Sequence, residues 1–197
     1  MFTGIVESIG KIKTVNSEGS NLVFTIQSDF TSELQVDQSV AHDGVCLTVT
    51  KLLEDRSAYQ VTAVEETLAK TNLGTKKAGD HLNLERAMLA SGRFDGHLVQ
   101  GHIDQIAHCT SKSSKNGSWI VGFNYDDKAG HFTVEKGSIC INGVSLTCFD
   151  TTKDSFLVAV IPYTYEHTTF KWLTPDEKVN LEFDIIGKYV KKYLSHG

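Results

Sequence analysis

The feature that most constrains the fold is an internal repeat: sequence blocks recur in the same order at a spacing of roughly one hundred residues. Such order in several blocks is far harder to obtain by chance than a single matched hairpin. We therefore expect two copies of one small domain, with the boundary near His97. The matched blocks are SVAHDGVCLTV (39–49) with SICINGVSLTC (138–148), TGIVESIG (3–10) with QGHIDQIA (100–107), EETLAKTNL (65–73) with PYTYEHTTF (162–170), and HLNLE (81–85) with KVNLE (178–182).

The repeated unit has the sequence pattern of antiparallel β structure. Short β-branched runs such as LVFTIQS, YQVTAV, WIVGFNY and FLVAVIPY alternate with turn residues. Each repeat carries an Asp-Gly or Asn-Gly step, at Asp43-Gly44 and Asn142-Gly143, which suits a tight hairpin turn with positive φ. No amphipathic helical stretch separates the strands, so parallel βαβ units are disfavoured. The pattern predicts an all-β chain made of two similar barrels.

Helical periodicity appears at the C-terminus, in DIIGKYVKKYLSHG. Asp184 is placed to cap its start, and lysines line the face opposite the apolar one. A helix this short needs a surface to pack on, either its own barrel or copies of itself in an oligomer. The apolar face consists of Ile185, Ile186, Tyr189, Val190, Tyr193 and Leu194.

Composition argues for a small-molecule partner. A net charge of −5 and a pI near 5.9 provide no basic surface for nucleic acid or an anionic membrane. No apolar run approaches the roughly 18 residues of a membrane helix, and the first ten residues lack a signal-peptide pattern. We therefore expect a cytoplasmic protein with reduced cysteines. We also expect no metal, because His97 and His102 point to opposite faces of an extended strand.

Six motifs resemble the riboflavin synthase family: MFTGIV, GVCLTV, GVSLT, ETLAKTNLG, GHLVQGHID and VNLEFD. The resemblance implies two six-stranded antiparallel Greek-key barrels in tandem and a C-terminal α-helix. It divides the chain into barrels at 1–97 and 98–186 and an oligomerisation segment at 187–197. It also implies a homotrimer and association with lumazine synthase.

The implied reaction is a dismutation, in which two 6,7-dimethyl-8-ribityllumazine molecules give riboflavin and a ribitylaminopyrimidine without any cofactor. Two identical heterocycles must be held face to face, so two similar pockets are required. One reactant still has to donate and the other to accept four carbons. The informative positions are therefore those where the repeats differ, namely Ile5 against His102, Asp37 against Lys136, Cys46 against Ser145, and Ala87 against Asp184.

Three of the side chains that the resemblance places at the reacting centre have clear chemical uses. His102 suits proton transfer near neutral pH, although a structural histidine is the alternative. Cys46 would need a lowered pKa to react, and a lone cysteine in a strand is usually a small core residue. Ser145 could bind a carbonyl, a ring nitrogen or an attacking water.

The other three have equally plain structural alternatives. Thr147 alternates with Ser145 on one strand, so both hydroxyls face the same side, as Cys46 and Thr48 do in the first repeat. The structural alternative for this pair is an exposed polar face. Asp184 would by default cap the helix. Lys136 would by default be a solvated turn residue, whereas the resemblance puts it near substrate oxygen atoms.

The resemblance also implies two substrate pockets lined by small polar residues and main-chain groups. It groups residues 4–6, 46–48 and 62–67 in one pocket and residues 101–103, 145–147 and 161–166 in the other. Phe2 near the junction has a simple alternative, anchoring of the first strand. The substrate-binding set is Phe2, Gly4, Ile5, Val6, Ser39, Cys46, Leu47, Thr48, Thr62, Ala63, Val64, Glu66, Thr67, Gly101, His102, Ile103, Lys136, Ser145, Leu146, Thr147, Ile161, Pro162, Tyr163, Thr164 and Glu166.

Four other functions fit the sequence less well. The strongest rival is a non-catalytic lumazine or flavin antenna protein of the same fold. Such relatives, however, tend to lack the polar site residues in one of their two repeats. A reductase flavin barrel would need a following G-x-G-x-x-G domain, which is missing here. The acidic balance disfavours a barrel for single-stranded nucleic acid. A hydrolase triad of Ser145, His102 and Asp184 lacks the G-x-S-x-G elbow.

Overall fold

The computed structural model describes residues 1–195, without the side chain of residue 129, and contains two closed barrels of six antiparallel strands. The last two residues of the predicted helical segment, His196 and Gly197, lie outside the described residues. In the first barrel the strand order is β1-β2-β5-β4-β3-β6. Its strands are β1 Ser8–Glu18, β2 Asn21–Gln27, β3 Ser39–His42, β4 Val45–Leu52, β5 Tyr59–Ala63 and β6 His81–Arg86.

The second barrel repeats this arrangement, which confirms the predicted duplicated all-β fold. Its closed order is β10-β11-β8-β7-β12-β9, so each strand has the neighbours of its counterpart in the first barrel. The long connection that lets β2 pair with β5, and β8 with β11, gives each barrel its Greek-key path. The strands are β7 Gln105–Lys115, β8 Ser118–Asn124, β9 Ser138–Ile141, β10 Val144–Phe149, β11 Ser155–Val160 and β12 Lys178–Phe183.

Short helices follow the fifth strand of each barrel. Helix α1 spans Glu65–Lys70 and helix α2 spans Pro162–His167, and each leads into a 3-10 turn, at Asn72–Thr75 and Thr169–Lys171. Two more 3-10 turns lie at Thr31–Glu33 and Asp127–Ala129. Within residues 1–195 no helix is both long and apolar enough to cross a bilayer.

The C-terminal helix α3 spans Ile185–Leu194. It begins two residues before the predicted boundary at 187, because the Asp184 carboxylate accepts a hydrogen bond from the Ile186 main-chain N–H at 3.0 Å. Most of its apolar face is exposed: Tyr189 retains 71% of its accessible surface and Tyr193 82%. The helix therefore covers little of its own barrel with those side chains.

Each barrel has its own apolar core, and the predicted turns have the expected geometry. Asp43 and Asn142 both have a φ of 46°, as the hairpin between strands three and four of each repeat requires. The second core is rich in aromatic rings, including Phe123, Phe156 and Phe170. The first core buries a polar pair instead, with His42 Nε2 2.9 Å from the hydroxyl of Tyr59.

Candidate active site

The segment before β1 and the segment before β7 each cross to the opposite barrel, and we call them the crossing segments. The main-chain N–H of Ser145 on β10 donates to the carbonyl of Gly4 at 2.7 Å, and the N–H of Cys46 on β4 donates to that of Gly101 at 2.9 Å. Gly4 has a φ of +77°, and a Cβ there would lie 2.7 Å from the Ser145 Cβ. Glycine is thus required at Gly4, both for its φ and for the close approach of Ser145.

Two buried carboxylates hold these segments from the other side. Glu85 accepts hydrogen bonds from the N–H and hydroxyl of Thr3 and from the N–H of Gly4, at 2.6 to 2.9 Å. Glu182 likewise accepts from the N–H groups of residues 100, 101 and 102 at 2.6 to 3.0 Å. Burial raises the pKa of both carboxyls, and the N–H donors oppose that effect. The residue-by-residue reading missed both, although the repeated NLE triplet carries them.

This crossing corrects the predicted grouping of the pockets. Val6 packs on the core of the second barrel, and Ile103 packs on the core of the first. Residues 4–6 therefore lie with 145–147 of the second barrel, and residues 101–103 lie with 46–48 of the first. The predicted assignment, which kept each leading segment with its own repeat, is wrong because sequence register cannot reveal which barrel a connecting segment contacts.

Side chains on β4 and β10 alternate as predicted. Leu47 points into the first core, whereas Thr48 is exposed and Cys46 is half-buried beside Gly101. On β10, Thr147 is exposed and Ser145 half-buried. Ser39 is half-buried and pairs with Thr48 across the β3–β4 ladder. The matched thiol and hydroxyl thus occupy equivalent positions next to the two crossing segments.

The helices that border the two candidate pockets differ in chemistry. On α1, Glu66 forms a 2.7 Å ion pair with Lys70, one turn further along. On α2, the matched residues Tyr163 and His167 stack with ring centroids 4.2 Å apart. Both borders are open, since Glu66 and Tyr163 are exposed. The remaining predicted residues of these segments are Thr62, Ala63, Val64 and Thr67 around the start of α1, and Ile161, Pro162, Thr164 and Glu166 around the start of α2.

His97 lies against Ser145, a contact that the sequence did not reveal. Its ring Nδ1 is 2.7 Å from the Ser145 hydroxyl oxygen, and its main-chain N–H donates to the carbonyl of Thr3 at 3.1 Å. Burial lowers the pKa of the His97 imidazole, and the Asp184 carboxylate partly opposes this. The sequence analysis used the chemistry of His97 only to exclude a metal site shared with His102. It could not reveal the contact with Ser145, because the two residues are 48 positions apart.

The other predicted site residues are spread over the surface of the single chain. His102 is exposed and is anchored through its main-chain N–H, which donates to Glu182 at 3.0 Å. The Lys136 ammonium lies 5.3 Å from the ring centroid of Phe149 and points toward solvent beside Glu135. Asp184 does cap α3. Among residues 1–195, the Lys136 ammonium therefore makes no contact with Ser145.

Phe2 is fully buried between the barrels rather than on an open surface. It packs with Ala41, Val99 and Cys140, and its main chain forms an antiparallel bridge to Val99. This position supports its alternative role as an anchor for the first segment. In residues 1–195, no group of three or more His, Cys, Asp or Glu side chains is arranged to hold a metal ion.

Comparison with known proteins gives a consistent family match. The family model described as "Lumazine binding domain" matches residues 3–87 and again residues 100–184. The riboflavin synthase of Actinobacillus pleuropneumoniae is 42% identical over 98% of this chain and 90% of its own length. The riboflavin synthases of Bacillus subtilis and Mycobacterium bovis are 38% and 35% identical, each over 98% of this chain and over 90% and 98% of their own lengths.

Solved structures show the same fold at lower sequence identity. LumP complexed with 6,7-dimethyl-8-(1'-D-ribityl) lumazine superposes with a TM-score of 0.83 over 93% of this chain and 99% of its own. Its sequence is 19% identical, which supports the fold alone. The sequence identity to the three riboflavin synthases, 35 to 42%, is about twice the 19% identity to LumP.

Proposed function

Because the chain belongs to the riboflavin synthase family, we propose that it dismutates two molecules of 6,7-dimethyl-8-ribityllumazine into riboflavin and a ribitylaminopyrimidine. The observation that carries this proposal is the pair of equivalent surfaces with unlike linings, Cys46 beside Gly101 and Ser145 beside Gly4. Twin surfaces suit two identical heterocycles. Their different side chains give one heterocycle a donor role and the other an acceptor role.

The proposed binding sites follow the crossing segments. The first-barrel site consists of residues 46–48, 62–67 and 101–103, together with Ser39, and the second-barrel site consists of residues 4–6, 145–147 and 161–166. Glu85 and Glu182 fix the crossing segments through their N–H groups, so the neighbouring main-chain groups are held in place to bind a heterocycle edge. Phe2 contributes by holding the first segment in place.

The proposed reacting groups are His102, Cys46, Ser145, Thr147, Asp184 and Lys136. Holding two reactants in register can supply an effective molarity of roughly 10⁵ M or more, so positioning is a large share of catalysis. His102 and Ser145 would then move protons, and Lys136 would bind substrate oxygen atoms from outside the single-chain site. The exposed borders on α1 and α2 support closure of each site by a second subunit.

A homotrimer is the proposed assembly, and the exposed apolar face of α3 supports it. The proposed units are barrels at 1–97 and 98–186 and an assembly segment at 187–197. Four free cysteines support a reducing location such as the cytoplasm. Association with lumazine synthase is part of the proposal, because that enzyme would supply the substrate directly, and co-sedimentation of the two purified proteins tests it.

One assay separates this function from the antenna alternative. Purified protein is incubated with 6,7-dimethyl-8-ribityllumazine and no additive, and riboflavin is followed by its absorbance. We expect turnover that consumes two lumazines for each riboflavin. Tight binding of lumazine without turnover would favour the antenna function. A stoichiometry of one bound lumazine for each pair of sites would contradict the two-site mechanism.

A further inference from the structure

The contact between His97 and Ser145 is fixed by its surroundings. The Nδ1–Oγ distance is 2.7 Å, and the His97 main chain is tied to the carbonyl of Thr3. Gly96 makes this approach feasible, because a Cβ at that position would lie 2.1 Å from the Thr3 carbonyl oxygen and 3.1 Å from the Ser145 hydroxyl oxygen. The imidazole therefore has little freedom to turn away from the hydroxyl.

Burial of His97 favours the neutral form of its ring. Burial lowers the pKa of the imidazole below its ordinary value of 6.5. Asp184, at the start of α3, is the charged group that acts on the ring, and it raises the pKa. Strand β10 presents the hydroxyl of Ser145, and the N-terminal segment presents only a carbonyl. A neutral imidazole under the electrostatic influence of a carboxylate can take up a proton.

We propose that His97 is the positioning residue of a proton relay in the second-barrel site, in which it orients the Ser145 hydroxyl and receives its proton. The inference rests on the proposed function. In the first barrel the matched side chain is the thiol of Cys46, and within residues 1–195 no histidine makes a hydrogen bond to it. The relay therefore distinguishes the two sites, because the second has a histidine–serine pair where the first has the Cys46 thiol.

Joining four-carbon units into a new ring requires a substrate methyl carbon to lose a proton. As that C–H bond breaks, the electron pair stays in the conjugated heterocycle and the proton passes to the Ser145 oxygen. The original hydroxyl proton moves to Nδ1 of His97, whose positive charge is balanced by the Asp184 carboxylate. The reverse transfer returns the proton to the departing pyrimidine.

The test compares the wild type with His97→Asn across pH, using 6,7-dimethyl-8-ribityllumazine as substrate. The Asn amide can keep a hydrogen bond to Ser145 but cannot be protonated near neutral pH. We expect kcat to fall about 100-fold or more while KM changes by less than about threefold. The wild type should lose kcat on the acidic side of the ordinary histidine pKa, as the His97 ring becomes protonated, and the variant should lack this acidic limb. His108→Asn, on the exposed side of β7, is the matched control and should behave as the wild type.

The outcomes separate the relay from the function. No turnover by the wild type would overturn the proposed function and the relay with it. Turnover by the wild type, with His97→Asn retaining the acidic limb and a kcat within about threefold, would overturn the relay alone. NMR of the wild-type imidazole nitrogens needs no variant: we expect Nδ1 without a proton and Nε2 protonated. The opposite tautomer would also overturn the relay.

Discussion

Asn83 and Asn180 occupy equivalent positions on β6 and β12, and each side-chain amide bonds to the opposite barrel. Asn83 donates to the Asn142 carbonyl at 2.8 Å and accepts from the Thr169 N–H at 2.7 Å. Asn180 donates to the Asp43 carbonyl at 2.9 Å and accepts from the Asn72 N–H at 2.7 Å. All these atoms lie in or beside the seam between the barrels. The pair therefore fixes the relative position of the two candidate sites.

Removing one of these amides should weaken both barrels together. Asn180→Ala leaves a buried carbonyl and a buried N–H unpaired, so we expect a loss of roughly 3 kcal/mol in the free energy of unfolding. Urea denaturation followed by intrinsic fluorescence measures it. Asn124→Ala, at an exposed position, is the control and should cost less than about 1 kcal/mol. Equal losses in the two variants would contradict a special role for the seam.

The buried His42–Tyr59 pair should make the first barrel sensitive to acid. Burial lowers the pKa of His42 from 6.5 to about 4, so the folded state holds the ring neutral. Its contribution to stability is complete above pH 6.5 and declines as the pH falls toward 4, by about 3 kcal/mol in all. The double variant His42→Ile/Tyr59→Phe copies the matched pair of the second barrel, Ile141 and Phe156.

This double variant should lose that acid sensitivity. Thermal unfolding measured between pH 4 and 7.5 gives the comparison, with Tyr59→Phe alone as a control that keeps the histidine. A wild type whose stability does not change between pH 6.5 and 4, beyond the change in the double variant, would contradict the prediction.

Substitution of the glycine in either crossing segment, Gly4 or Gly101, should destabilise the protein. Gly101 has a φ of +84°, and a Cβ there would lie 2.5 Å from the Cys46 Cβ. Gly101→Ala should therefore cost roughly 2 to 4 kcal/mol and reduce turnover, because it combines backbone strain with a clash. Gly19→Ala is the matched control: Gly19 has a φ of +63° with nothing within 4 Å of its Cβ position.

For Gly19→Ala we expect a loss of about 1 kcal/mol and wild-type turnover. Chemical denaturation and the riboflavin assay measure both variants. If Gly101→Ala cost no more than this control, the close contact with Cys46 would not be maintained in solution.

We expect the exposed apolar face of α3 to hold the proposed homotrimer together. Tyr189→Glu/Tyr193→Glu places charges on the two most exposed aromatic side chains of the helix. Burial of these charges in an interface would be costly, so we expect dissociation to monomers in multi-angle light scattering. Lys13→Glu, on the exposed side of β1, is the control and should leave the mass unchanged. An intact oligomer in the double variant would exclude this face from assembly.

The duplicated barrels, the hairpin turns and the C-terminal helix could all be predicted from the order of the residues. These features depend on local backbone preference and on periodic burial, and both are properties of neighbouring residues. Asp43-Gly44 and Asn142-Gly143, for example, favour the tight turns. The repeat also marked the positions where the two halves differ, including Cys46 against Ser145. Comparison of the halves was enough to identify them because equivalent positions share one backbone geometry.

The contacts between the crossing segments and the barrels are visible only in the folded chain. Gly4 lies on Ser145, Gly101 lies on Cys46, and His97 reaches Ser145 across 48 positions. Such contacts depend on how the two closed barrels dock. Docking is governed by the shape of the seam and by the polar groups that each barrel alone would leave unpaired there. No local pattern encodes that arrangement, because both barrels have the same strand signals and either could have received either segment.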